Sequence, residues 1–176
     1  MNKTRCVPLI SRDEIDTAIR RLAEQLNRDY HGKNPLVIGI LKGSFVFMAD
    51  LVRLLEFPVE IDFVRLSSYG RGKETSGKVK VVNGLRTPVQ GRDILVIEDI
   101  VDTGLTVAHF MSYLRKRHPA SLKLCALADK PARHRMPVTV EYLGFTVPDK
   151  FLVGCGLDWD ERFRNLPGIC ALEEDE

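Results

Sequence analysis

No run of apolar residues in this chain approaches the roughly 20 that a membrane-spanning helix requires, because a charge or a turn residue interrupts each within a few positions. The opening residues carry Lys3 and Arg5, yet Arg12, Asp13 and Glu14 arrive too early to leave room for the apolar stretch of a secretion signal. Cysteine is sparse. Cys6, Cys125, Cys155 and Cys170 are scattered, with no C-x-x-C pair and no histidine at zinc-finger spacing, which disfavours a disulfide scaffold and a structural zinc site. Four free thiols fit a reducing, cytoplasmic compartment. Neither sign of charge dominates: 26 Lys plus Arg stand against 24 Asp plus Glu, a formal charge of +2. Nucleic-acid binding needs a concentrated positive footprint, so neither a nucleic acid nor a membrane is expected as partner. No repeat or interdomain linker breaks the chain, and 1–176 reads as one domain.

What is present is the alternation of strands and helices. With 176 residues, 44% of them hydrophobic, the chain can bury a core without staples. A helix is expected from Asp13 to Asn27, with Ser11 as N-cap and Glu14 completing a capping box. Ile15, Ile19, Leu22 and Leu26 recur at helical spacing and define one apolar stripe. Leu36 to Leu41 is an apolar run of strand length, and Phe45 to Leu55 reads as a helix after the Lys42-Gly43-Ser44 break. A strand buried on both faces followed by a crossover helix marks a parallel sheet. Val59 to Leu66 alternates, as a strand nearer an edge does. Ser67 to Gly77 is a polar, glycine-containing loop, and Lys78 to Val82 before Asn83-Gly84 suggests a strand and a tight turn. Ile94 to Ile97 and Leu122 to Ala128 are further buried strands, separated by a helix from Thr106 to Arg117. Val138 to Phe145 and Phe151 to Val153 complete the expected strands. The expectation is an α/β fold with a small region built from the two chain ends.

The most informative stretch is Ile94 to Thr106. An apolar strand delivers Glu98 and Asp99 at its C-terminal end, where open parallel sheets bind ligands, and then enters a loop with Gly104 and two threonines. Gly104 permits close backbone approach, Thr103 and Thr106 offer hydroxyls, and a helix start offers unpaired amides to a phosphate. The two carboxylates suit a different partner, a sugar diol or a hard cation. Together these residues point to a ribose phosphate. The alternative is that Glu98 to Asp102 merely caps and solvates the helix. The loop has no G-x-x-x-x-G-K-T pattern.

Val96 to Thr106 resembles the phosphoribosyl pyrophosphate signature of the type I phosphoribosyltransferases. Leu41-Lys42-Gly43, Ser67-Ser68-Tyr69-Gly70, Asp129-Lys130 and Pro148 to Gly154 running on to Leu157-Asp158 narrow the likeness to the hypoxanthine-guanine phosphoribosyltransferases. Five separated segments occur in that family's order, from the first helix to Pro167. The resemblance implies a type I phosphoribosyltransferase fold: a central, mainly parallel twisted sheet flanked by helices, with a hood from the N-terminal segment and about 131–176. It also implies transfer of a 5-phosphoribosyl group from phosphoribosyl pyrophosphate to N9 of hypoxanthine or guanine, giving IMP or GMP and pyrophosphate with Mg²⁺. The relatives are homodimers or homotetramers.

Carried over residue by residue, the likeness gives Glu98 and Asp99 the ribose hydroxyls, directly or through Mg²⁺. Asp102, Thr103, Gly104, Leu105 and Thr106 take the 5′-phosphate. Asp102 resembles the family's residue near purine N7; an aspartate is a weak base, so it can stabilise charge on the purine as well as remove a proton. Lys130 would donate to the 6-oxo group, Phe151 would stack on the purine, and the Leu152 backbone would read its edge. Asp158 resembles the Mg²⁺ ligand beside purine and pyrophosphate. Lys42, Gly43 and Arg164 would bind pyrophosphate, and Ser67, Ser68, Tyr69 and Gly70 would form a flap that excludes water. Without the likeness, Lys130 reads as a surface lysine, Phe151 as core, and Asp158 and Arg164 as part of a charged turn with Asp160, Glu161 and Arg162. Cys155 and Trp159 stand where relatives commonly carry tyrosine, which bears on purine preference and access for xanthine. Two other readings remain: a transferase for another 6-oxo base, and a regulator that binds a nucleotide or nucleic acid on the same fold.

Overall fold

The computed structural model describes residues 4–68, 79–83 and 85–174. In chain order these form β1 (Thr4–Ile10), α1 (Arg12–Asp29), β2 (Leu36–Leu41), α2 (Ser44–Val52), β3 (Glu60–Ser68) and β4 (Val79–Asn83). There follow β5 (Asp93–Val101), α3 (Leu105–Arg115), β6 (Ser121–Asp129), a 3-10 turn (Pro131–Arg133), β7 (Tyr142–Thr146), β8 (Phe151–Val153) and β9 (Ile169–Glu174). Helix α1 starts where the sequence predicts: Ser11 Oγ accepts from Glu14 N at 3.3 Å, and Glu14 Oε2 accepts from Ser11 N at 2.8 Å. Its stripe of Ile15, Ile19, Leu22 and Leu26 is buried, which contributes on the order of 2 kcal/mol per side chain.

Six strands make the large sheet in the order β4-β3-β2-β5-β6-β7. All neighbours are parallel except β4, which runs antiparallel along β3. β2 and β5 are buried almost throughout, and their alternate residues feed two core layers. Val37, Leu95 and Ile97 pack with α1 and α2, whereas Ile38, Ile94 and Val96 pack with Phe110, Met111 and Leu114 of α3. This period of two turns one sheet into two cores.

The chain ends form a separate antiparallel sheet, β1-β9-β8. The sequence indicates this region and β8, but not β1 and β9 as strands. β1 contains Pro8, tolerated because β1 is an edge, and its register shifts between Pro8 and Ile10. The strand expected over Val138 to Phe145 is shorter, Tyr142–Thr146. Two causes are visible. Pro137 has no amide to donate, and the Leu124 amide, next in line for ladder pairing, goes to the Glu141 side chain at 2.8 Å. The expected Ser67–Gly77 loop begins later, since Ser67 and Ser68 pair with Lys80 and Val79. Tyr69, Gly70 and Gly84 lie outside the described residues.

Candidate active site

From β2 the chain proceeds to β3 on one side, and from β5 to β6 on the other, so a crevice opens beyond the C-terminal ends of β2 and β5. Two adjoining clefts of about 300 and 390 Å³ lie there. Asp99, Ile100, Asp102 and Asp158 line both. The first cleft also gathers Lys42, Gly43, Glu98, Thr103, Gly104, Thr106 and Arg164, and the second gathers Lys130, Phe151 and Leu152. Leu105 opens α3 without lining either cleft. Ser67 and Ser68 end β3, whereas Tyr69 and Gly70 are not among the described residues.

The start of helix α3 forms one end of the first cleft. Gly104 precedes it at φ 75°, in the left-handed region that glycine adopts without strain. The first helical hydrogen bond runs from Ala108 N to Gly104 O at 2.9 Å; in the turn before it the Leu105 amide makes a long bond to Thr103 Oγ1 at 3.5 Å, and the amides that follow lack an intrahelical acceptor. A Cβ at Gly104 would lie 2.8 Å from Val138 Cγ2, so the segment after Pro137 walls the loop and keeps it narrow.

Opposite lies an acidic pair. Glu98 and Asp99 are buried at the end of β5. Burial, and then the charge of Asp99, push the Glu98 carboxyl well above the usual carboxylate range. Glu98 Oε2 has no hydrogen-bond partner among the described residues, and Asp99 Oδ1 accepts only from the adjacent Ile100 amide at 2.9 Å. Such a pair has unused acceptor capacity for hydroxyl donors or a hard cation. Gly43 is what lets it sit there: a Cβ at Gly43 would fall 1.6 Å from Asp99 Oδ2. Gly156 meets the same junction, with a virtual Cβ 2.1 Å from Gly43 O. The β2 turn, the β5 carboxylates and the segment after β8 therefore interlock through backbone. The peptide bond between Leu41 and Lys42 is cis.

The second cleft carries cations against Asp102. Lys130 is 6% exposed, not the surface lysine that its sequence context alone suggests. Its Nζ is 3.7 Å from Asp102 Oδ1, and Arg133 Nε approaches that oxygen to 2.9 Å in an ion pair not aligned as a hydrogen bond. Arg133 also bonds Asp149 Oδ1 at 3.0 Å. The Lys130 backbone is tied to β5 by its amide, which donates to Val101 O at 2.9 Å. Phe151 is 53% exposed at the start of β8, a ring wall of the cleft and not a core residue. Cys155 is buried, which pushes its thiol up to about 11.

A charged network closes the first cleft. Arg164 Nη2 lies 2.7 Å from Asp158 Oδ1 and 3.2 Å from Glu161 Oε2, and Nη1 donates to Gly156 O at 2.8 Å. Glu161 Oε1 meets Lys42 Nζ at 2.8 Å, and those partners hold the Glu161 carboxyl below its usual range. Arg133, Asp149 and Glu161 are site residues that sequence reasoning did not single out. Arg133 follows Lys130 by three residues, the spacing that a 3-10 turn brings to one side. For Glu161, within a run of charges, the sequence offers no such signal.

Among the described residues no three acidic, cysteine or histidine side chains converge as a closed metal cage. The orphaned Glu98 oxygen beside Asp99 fits Mg²⁺ in its usual protein mode, in which one or two carboxylates hold an ion that keeps waters and substrate oxygens.

A phosphoribosyl transferase domain matches residues 11–160. The hypoxanthine-guanine phosphoribosyltransferase of Bacillus subtilis (strain 168) is 45% identical over 165 residues, which cover 94% of this chain and 92% of that protein. The bifunctional protein TilS/HprT of Listeria monocytogenes is 47% identical over 165 residues, but the chain spans 26% of its length. Among solved structures, a hypoxanthine phosphoribosyltransferase from Staphylococcus aureus superposes with a TM-score of 0.91 at 39% identity, covering 94% of this chain and 90% of that one.

Proposed function

Because the chain belongs to the hypoxanthine-guanine phosphoribosyltransferases, within the phosphoribosyl transferase domain family, we propose that it performs purine salvage. It moves the 5-phosphoribosyl group of phosphoribosyl pyrophosphate to N9 of hypoxanthine or guanine, giving IMP or GMP and pyrophosphate. The observation that carries this reading is the pair of clefts that share Asp99, Asp102 and Asp158. One cleft has an anion-binding helix start and an acidic pair; the other has a buried lysine and an exposed aromatic ring. A purine and a ribosyl donor placed in them would meet at the shared wall.

In this reading the α3 start and the Thr103 and Thr106 hydroxyls take the 5′-phosphate. Glu98 and Asp99 take the ribose diol and, with Asp158, the metal. Mg²⁺, when bound, neutralises the pyrophosphate as it leaves. Lys42, Gly43 and Arg164 hold that leaving group. Lys130 donates to purine O6, which favours 6-oxopurines over adenine. Phe151 stacks on the ring, and the Leu152 backbone addresses its edge. The bond from C1′ to pyrophosphate oxygen breaks with its electron pair going to pyrophosphate, and purine N9 forms the new bond to C1′. Asp102 faces the purine as proton acceptor or as a negative charge that offsets the positive charge developing there. Ser67 and Ser68, with Tyr69 and Gly70 outside the described residues, are assigned to the flap that would exclude water. The enzyme works in the cytoplasm as a homodimer or homotetramer.

Initial rates with hypoxanthine, guanine, xanthine, adenine and uracil at fixed phosphoribosyl pyrophosphate and Mg²⁺ test the assignment. Hypoxanthine and guanine should be used best, and preferred turnover of adenine or uracil would refute it.

A further inference from the structure

Glu161 occupies a place that the proposed chemistry gives to an anion. Its carboxylate bridges Lys42 Nζ at 2.8 Å and Arg164 Nη2 at 3.2 Å, the two cations assigned above to pyrophosphate. Those cations come from opposite walls, one from the turn after β2 and one from the segment before β9. A carboxylate that spans them imitates two oxygens of a phosphate. We infer that Glu161 is an internal stand-in for pyrophosphate: it holds the two cations in register while the site is empty and competes with the leaving group for them. The inference rests on the function proposed above and deepens it.

The surrounding geometry explains why the stand-in is exchangeable. The Glu161 backbone is fixed, because its amide donates to Asp158 Oδ2 at 2.9 Å and its φ of 62° holds a tight turn. Trp159 and Phe163 stack across that turn with centroids 6.4 Å apart. The side chain, by contrast, is 63% exposed and can swing into water without leaving a void. Arg164 stays anchored without it, through Asp158 Oδ1 and Gly156 O. Lys42 has no second ion pair among the described residues, so displacement of Glu161 frees a cation already aimed at the cleft. Asp158, the proposed metal ligand, is likewise engaged, with Oδ1 on Arg164 and Oδ2 on the Glu161 amide. An arriving metal-bound pyrophosphate thus exchanges one set of charge pairs for another. A competing carboxylate should weaken pyrophosphate binding and speed its departure.

Glu161 is thereby a positioning residue, acting through Lys42 and Arg164. The test is calorimetric binding of inorganic pyrophosphate, with Mg²⁺ present, to the full chain and to the variants Glu161→Gln and Glu161→Asp, together with steady-state kinetics. Glu161→Gln should bind pyrophosphate roughly three- to tenfold more tightly, as expected for removing a competitor held by exposed ion pairs. The KM for phosphoribosyl pyrophosphate should fall in parallel while kcat does not rise. Glu161→Asp, which keeps the charge, should return toward the parent affinity. A purely structural role predicts the reverse for Glu161→Gln, weaker pyrophosphate and higher KM, because a loosened turn would misplace Arg164. Pyrophosphate binding that is unchanged or weakened in Glu161→Gln overturns the stand-in and leaves the transferase reading intact. A parent protein that binds no pyrophosphate overturns that reading itself.

Discussion

Replacing Glu98 with glutamine should make the empty protein more stable and the enzyme worse. Glu98 is buried at the end of β5, with Oε2 unpartnered among the described residues and Asp99 as neighbour. Its carboxyl is raised well above the ordinary range, first by burial and then by the Asp99 charge. The fold therefore favours the protonated form. When folded and unfolded pKa values differ in this direction, stability is fully present below the unfolded value and is lost as pH rises through the folded one. Glutamine keeps the shape, carries no charge and can donate to Asp99. Relief of one under-compensated buried group corresponds to about 1–2 kcal/mol, or roughly 2–8 °C in Tm for a chain of this size. Thermal melts of both proteins from pH 4 to pH 9 check this. The gap should be small at the acidic end, where Glu98 is protonated in both states, and should widen with pH. In the proposed mode of binding the same change would take a charged acceptor from the ribose diol, a loss of about 1.5–3 kcal/mol, so KM for phosphoribosyl pyrophosphate should rise roughly 10- to 100-fold. A glutamine variant less stable than the parent at pH 8, or a gap that does not depend on pH, would refute the argument.

Three further substitutions separate the other roles. Lys130→Ala should lower kcat/KM for hypoxanthine and guanine by roughly 10- to 100-fold, the worth of a charged hydrogen bond, and lower that for adenine much less; the ratio of purine efficiencies is the readout. Asp102→Asn should lower kcat by roughly 10²- to 10⁴-fold while the dissociation constant of phosphoribosyl pyrophosphate changes little, and an unaltered kcat would remove Asp102 from the mechanism. Ser11→Ala should remove the α1 cap, costing about 1 kcal/mol and roughly 2–4 °C in Tm, with kinetic constants unchanged.

Legibility in the sequence followed the range of the interactions involved. Helix α1 could be read to within two residues because its cap, box and stripe are all local. β2, β5 and β6 could be read because burial on both faces leaves an almost wholly apolar run, interrupted in β6 by Lys123. β1 and β9 could not, since a short edge strand containing Pro8 exists only through its partner at the far end of the chain. The shortening of β7 depended in part on a bond between segments, Leu124 N to the Glu141 carboxylate. The same division runs through the site. Glu98 to Thr106 is a contiguous segment whose order of residue types carries its chemistry. Lys130 and Phe151 gained meaning from family likeness, and each then proved to line the cleft. The Gly43 contact with Asp99 and the Glu161 bridge join residues far apart in sequence, so neither has a local pattern.

The site's charges obey one rule with one exception, and the exception decides what must bind. Asp102 is met by Lys130 and Arg133, Asp149 by Arg133, Asp158 by Arg164, and Glu161 by Lys42. A ligand that engages any of these exchanges one partner for another, and the net electrostatic gain is small because an existing pair must open. Glu98 and Asp99 have no cation beside them among the described residues, and burial, followed by the charge of Asp99, raises the Glu98 carboxyl well above its usual range. Here alone among these carboxylates a ligand meets a buried oxygen that has neither a hydrogen-bond donor nor a cation beside it among the described residues. Hydroxyl donors or a hydrated cation would convert that liability into binding energy, whereas a phosphate would worsen it. In the proposed function the phosphate would then go to the α3 start and the sugar hydroxyls to β5, so that C1′ of a ribosyl donor would face the cleft that holds Lys130 and Phe151.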